Sequence, residues 1–362
     1  MLERVVRKNR ISIATLAVLG ALGVLAGCQS LPYEVDAQRV LPIGRYLVFA
    51  SNRVAPHEAF DLFALYLGES DPQKAQLIQL TDAPGHELDP CVSTDGHQML
   101  YVARPVLPHA TSARQLARDC HSKLIHMDLR NGQQTTLYQT RGILVHPAWS
   151  ADNKRVAMSL IRAQPGGMIE HRVIWMDLAT QQVHDLGLGS YPNWSADNQY
   201  LVVSQTNSDN QSQLWRIDLQ SQQRTPISRP GPNTATLSPN KKYLAVAIPQ
   251  GTDGQPTITV YPADSIGQPR DRGIEVSFGT QSNAANVQPI WLSDPLGAAG
   301  YTDDTSMLAY TQIVFNPQPG SKSFLSRIIV VSPDGKTSRE VVQADAQNMT
   351  GGGYMSALWL LR

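Results

Sequence analysis

The chain has 362 residues, 42% of them hydrophobic, with 30 basic and 30 acidic side chains. That length holds one large domain or two smaller ones. A formal net charge of zero, with no basic stripe, excludes an electrostatic role on nucleic acid or on an anionic lipid surface.

Arg4, Arg7, Lys8 and Arg10 open the chain as a basic region, and the apolar run ISIATLAVLGALGVL follows. The run is too short to span a bilayer comfortably, and small residues follow it as at a cleavage site. The LAGC that ends this segment resembles the lipobox of bacterial lipoproteins. The resemblance implies that 1–27 is removed and that Cys28 is acylated; the plainer alternative is a secretory peptide with an incidental Cys. Gln29 stands where Asp would imply inner-membrane retention under the enteric-type sorting rule, which points to the outer membrane. Without 1–27 the chain has 26 basic and 29 acidic side chains, a net of −3. A diacyl or triacyl Cys brings the two or more chains that durable anchoring requires. Residues 28–43 then read as the lipidated Cys and a tether, and 44–362 as the folded domain.

Five stretches of that domain align: LDPCVSTDGHQMLYVA, VHPAWSADNKRVAMSL, SYPNWSADNQYLVVSQ, NTATLSPNKKYLAVAI and VQPIWLSD…TSMLAYTQ. Each is a Pro-x-Trp-Ser segment, a polar turn and a short apolar strand. The Trp slot holds Val92, Trp149, Trp194, Leu237 and Trp291, at spacings of 57, 45, 43 and 54 residues. Further apolar runs follow (KLIHMDL, HRVIWMDL, SQLWRIDL), placing Asp128, Asp177 and Asp218 at equivalent positions. Runs rich in Val, Ile, Leu and Tyr, separated by turns of Asp, Asn and Gly, predict four-stranded antiparallel units. No window of 12 or more residues after position 28 shows a helical period. An all-β repeat of this length predicts propeller blades.

The repeat resembles the TolB-type (PD40, WD40-like) propeller, whose signature is P-x-W-S-P-D-G followed by a strand. The resemblance covers about residues 44–362 and implies an all-β, six-bladed fold. In SALW, Trp359 matches the Trp slot of a first strand with no second strand after it. GRYLVFAS, 44–51, is a second strand with no first, and DLFALYL and AQLIQLT continue it. The C-terminal strand is therefore expected to complete the N-terminal blade and close the ring, leaving no unpaired edge there. The α/β domain that precedes the propeller in TolB has no counterpart in the short 29–43 segment.

With strands lettered A to D from the axis outward, most A–B turns are short: 94–97, 151–154, 196–199 and 239–242. The 293–305 turn is longer, and its Asp303 and Asp304 form an acidic turn. The B–C connections 105–122, 162–170, 249–256 and 313–323 are expected to be long, so the face carrying them and the D–A connections is the expected working face. Residues entering strand A are expected to ring its channel mouth: His86, Glu87, His146, Tyr191, Asn193, Asn233 and Gln288. The two His lack the spacing of a metal site, and backbone-bonded or solvated roles suit them better. Cys91 and Cys120 read either as a disulfide that pins the 105–122 loop or as two free thiols.

No G-x-S-x-G elbow, P-loop or zinc spacing occurs in the sequence. The expectation is therefore a monomeric, lipid-anchored, periplasm-facing envelope protein without cofactor or catalysis, whose propeller binds a protein or peptide. The alternative is a carbohydrate-active or metal-dependent lyase or hydrolase working at the channel mouth.

Overall fold

Strand-length apolar runs separated by turn residues leave the chain one way to bury its apolar surface, which is to stack small sheets face to face. The computed structural model describes residues 35–36, 41, 44–52, 59–66, 77–108, 110, 112–195, 197–207, 211–228, 234–238, 243–248, 257–262, 273–277, 284–292, 307–315, 324–343 and 350–360. Six sheets form. Blade 2 is His86–Val92, Gln98–Arg104, His121–Asp128 and Gln133–Arg141 in order A to D. Blade 3 is Ile143–Trp149, Arg155–Ala163, Ile169–Asp177 and Val183–Leu188. Blade 4 is Ser190–Trp194, Tyr200–Thr206, Ser212–Asp218 and Arg224–Pro226. Blade 5 is Thr234–Leu237, Tyr243–Ile248, Thr257–Pro262 and Ile274–Glu275. Blade 6 is Ala284–Leu292, Met307–Phe315, Phe324–Val331 and Ser338–Gln343.

Blade 1 is assembled from both ends of the domain. Gly44–Ser51, Asp61–Tyr66 and Leu77–Gln79 are its strands B to D, and Thr350–Leu360 is its strand A. The C-terminal strand pairs antiparallel with strand B from Gly44↔Leu360 to Phe49↔Met355, with Trp359 opposite Arg45. The expected closure is present, and the closing strand extends upstream of SALW through the glycines to Thr350. The A strands of successive blades contact one another in a complete cycle, so they surround the axis. Val35–Asp36, within the stretch read as a tether, adds in parallel to the outside of strand D in blade 1.

Burial follows position in the blade. In blade 3, strand B is sandwiched between two neighbouring blades, and Val156–Ile161 are buried on both faces. Strand D of blade 2 is largely exposed. The Trp slot joins each such blade to its predecessor. The indole Nε1 of Trp149 donates to Cys91 O at 3.0 Å, that of Trp194 to Ala148 O at 2.9 Å and that of Trp291 to Thr236 O at 3.0 Å. In every case the acceptor precedes the Trp-slot residue of the blade before.

The A–B turns repeat one hydrogen-bond pattern. Ser150 Oγ donates to Asp152 and accepts Arg155 N–H, and Ser195 does the same with Asp197 and Tyr200. The fourth residue of each motif counted from its Ser (Ser93, Ser150 and Ser195) is left-handed, with φ of 73° at Gly96, 55° at Asn153 and 58° at Asn198; this is the conformation that Gly and Asn tolerate. Asp128, Asp177 and Asp218 cap the C–D turns by accepting backbone N–H groups.

Several expectations are corrected. The blade 2 B–C connection contains helix α1, Ala113–Asp119, capped by Ser112 Oγ on Gln115 N–H at 3.2 Å. One seven-residue helix is too short to produce a period, and it buries Leu116 and Ala117 against Ile143, Val145 and Ile161. The blade 3 connection is a tight turn rather than a long loop, closed by Gln164 N–H on Met168 O at 2.8 Å. Cys91 and Cys120 are free thiols. A disulfide would require Cys91 to stand at the start of strand A, at the end of the blade that carries the 105–122 loop. That strand begins at His86, so Cys91 lies opposite Leu100 near the A–B turn, while Cys120 follows α1 at the B–C end. Cys28, Gln29, Asn233, Asp303 and Asp304 lie outside the described residues.

Candidate functional site

Four A strands contain an x-Pro step: Asp89-Pro90, His146-Pro147, Tyr191-Pro192 and Gln288-Pro289. Proline has no N–H to give the ladder. At each step the pairing with strand B slips, between Leu88 and Cys91, across from Ala157 and Ser159, between Ser190 and Asn193, and between Val287 and Ile290. The residue before proline is left-handed, with φ of 54° at Asp89, His146 and Tyr191 alike. Such backbone is costly for non-glycine residues and concentrates at functional sites, and bulges of this kind re-aim side chains.

The three bulged residues are joined across blades. Asp89 Oδ2 accepts His146 N–H at 3.1 Å, and the His146 ring stacks on Tyr191 with centroids 4.0 Å apart. Tyr191 N–H donates to Ser159 Oγ at 2.9 Å. Asn193 Nδ2 donates to Tyr191 O at 3.1 Å and to Ala235 O of blade 5 at 2.7 Å. A polar and aromatic seam thus runs along the inner strands of blades 2 to 5. His146, Tyr191 and Asn193 are half-buried in it.

His86 and Glu87 do not stand open at the mouth. Both are buried, His86 with its ring centroid 5.9 Å from that of Phe60, Glu87 with its carboxylate accepting Ala83 N–H at 3.4 Å. Gln288 lies at the blade 6 bulge, with its side chain outside the described atoms. Asp89 escaped the sequence reading, which selected residues by their entry into strand A. The signal that identifies it is the x-Pro slot it shares with His146 and Tyr191.

Burial governs the titration of this region. It pushes Asp89 up to about 7, against the pull of the His146 N–H and the Arg104 charge. It also pushes Asp61 up to about 7, with Glu87 and Asp82 adding to the rise, and raises Glu87. Burial brings His86 down to about 4, helped by Arg104, and His146 down to about 3, helped by His171. Among the described residues no group of three or more His, Cys, Asp or Glu is arranged to hold a metal.

These opposed shifts predict a flat stability profile. Folded Asp89 keeps its proton up to about pH 7, whereas the unfolded carboxyl releases it near 3.9, so its contribution is lost as pH rises from about 4 through 7. Unfolded His86 and His146 take up protons below about 6.5 and the folded residues do not, so theirs is lost as pH falls through that value. Asp89→Asn removes one downward slope. The variant is expected to exceed the wild type by about 1–3 kcal/mol at pH 8 and to gain stability more steeply between pH 4 and 6.5. Urea titrations across pH check this; parallel profiles for the two proteins contradict it.

No protein-family model matches the chain, and no curated protein matches it in sequence. Among solved structures it is similar to TolB from Acinetobacter baumannii, at TM-score 0.59 and 14% identity over 87% of this chain. The chain spans 66% of that protein's length. It is also similar to a protein of Agrobacterium tumefaciens assigned as TolB, at TM-score 0.54 and 12% identity, over 89% of this chain and 100% of that one. At such identities the likeness is one of architecture: the chain has the six-bladed β-propeller fold of the TolB structures.

Proposed function

We propose that this propeller is the binding module of a lipid-anchored envelope protein. Acylated Cys28 holds it at the membrane, facing the periplasm, most simply at the outer membrane given Gln29. The face carrying the D–A and B–C connections docks a protein or peptide, and the module acts as a monomeric scaffold without catalysis. The observation that carries the reading is the bulged seam Asp89–His146–Tyr191, strained non-glycine backbone held in register across three blades of a closed ring. A rigid ring presenting re-aimed side chains suits recognition. Met168 and Ile169, exposed apolar residues at the blade 3 B–C turn on the same face, support it.

The test is site-specific photo-crosslinking in intact envelopes. A crosslinking residue at 168 is expected to capture a discrete envelope protein, and one at 151, in an A–B turn on the opposite face, is not. Tyr191→Ala is expected to abolish the capture. Equal capture from both faces, or none from 168, overturns the reading. In the same preparation mass spectrometry is expected to find lipid-modified Cys28 as the mature N-terminus; a retained 1–27 segment removes the anchor from the proposal.

A further inference from the structure

His86 and Arg104 are paired residues of strands A and B in blade 2, at the end of the blade where the α1 connection begins. Paired positions bring side chains on one face within contact range. Arg104 is 5% exposed and His86 6%. Among the described residues Arg104 Nε and His86 Nδ1 are sealed from solvent with no hydrogen-bond partner. The Arg104 guanidinium also makes no ion pair among the described residues. Gly85 lets the two strands approach here: a Cβ there would fall 2.6 Å from the Arg104 backbone O.

A guanidinium remains charged, and a buried charge is tolerated when it is paired and hydrogen-bonded. The Arg104 charge acts on His86, on Asp89 and on Cys120. Burial keeps His86 neutral, so its Nδ1–H tautomer can donate without adding charge. The unpartnered donors are the Nε–H of a planar guanidinium and one imidazole N–H, a set that suits a carboxylate. Asp89, whose carboxyl already interacts with the Arg104 charge, disfavours a doubly charged anion.

We propose that His86 and Arg104 form a receptor for a single carboxylate at the blade 2 end of the seam. The inference rests on the binding role proposed above and names the chemistry that the partner presents there. Two sources supply that group, a free small acid or the acidic side chain or C-terminus of a docked peptide.

The experiment titrates sodium acetate into the folded chain, with sodium chloride as the ionic control, and follows the Arg104 Nε–Hε signal by NMR. Acetate is expected to shift that signal saturably. Arg104→Gln is expected to remove saturable acetate binding, and His86→Gln to weaken it about tenfold, the worth of one hydrogen bond. If Arg104→Gln fails to fold, the His86→Gln titration decides alone. An unshifted Arg104 signal, a chloride effect equal to that of acetate, or unchanged affinity in His86→Gln overturns the proposal. A trialanine with a free C-terminus, run against its amide, separates the sources. Tighter binding than acetate, lost in the amide, assigns the carboxylate to a peptide; equal affinity for acetate and the free tripeptide assigns it to a small acid. Envelope capture through residue 168 that persists without any acetate binding refutes the receptor and leaves the docking face standing.

Discussion

Removing residues 350–360 is expected to unfold the propeller. Strand B of blade 1 would lose its partner along the register from Gly44↔Leu360 to Ser51↔Thr350. That strand contributes Tyr46, Leu47, Val48, Phe49 and Ala50, each at most 2% exposed, to the interior. Large apolar side chains lose about 1.5–3 kcal/mol each when fully exposed. Partial exposure of this set, together with an open sheet edge and an interrupted ring of A strands, is of the order of the about 5–15 kcal/mol by which domains are stable. Loss of the cooperative thermal transition is the expected readout. A circular permutant with the same strand joined ahead of Gly44 is expected to recover it, because the pairing rather than the chain end supplies the stability. A truncated protein that melts with the wild type contradicts the closure.

Trp194→Ala is expected to destabilise by about 3–5 kcal/mol, the range for truncating a buried large aromatic. Trp194 is 9% exposed, meets Trp175 edge to face at 6.3 Å and lies under the Arg155 guanidinium at 5.9 Å. Its indole N–H holds Ala148 O, so truncation also strips a part-buried carbonyl of its donor. Trp194→Phe separates the two effects. It keeps most of the packing and loses the hydrogen bond, at about 1–2 kcal/mol. Denaturant unfolding distinguishes these values, and a Phe variant as unstable as the Ala variant shows that the bond between blades, not the packing, sets the cost. Blades 2 and 5 have Val92 and Leu237 in the slot, so their junctions to the preceding blade lack an indole donor.

The blade count, the ring closure and the A–B turn chemistry were legible in the sequence because each rests on a local, repeated rule. A left-handed fourth residue counted from the Ser needs Gly or Asn, as at Gly96, Asn153 and Asn198. A two-faced buried strand reads as a continuous apolar run, as at Val156–Ile161. An unmatched first strand at one end and an unmatched second strand at the other imply each other. The helix at Ala113–Asp119 was not legible, since seven residues carry two turns and no period.

The site divides in the same way. The sequence alone selected His146, Tyr191 and Asn193 by their place at the entry to strand A, and these do lie along the inner seam. It also selected His86 and Glu87, which the packing of blades 1 and 2 buries. Only the tertiary structure decided that Asp89 belongs with His146, because their hydrogen bond joins residues 57 apart in different blades. It alone decided that Cys91 and Cys120 stay apart, since strand register rather than spacing sets which end of a blade a residue occupies. Local rules specify what each blade is. Which side chains meet between blades depends on bulges and burial, and these are set by the neighbouring sheet and not by the adjacent sequence.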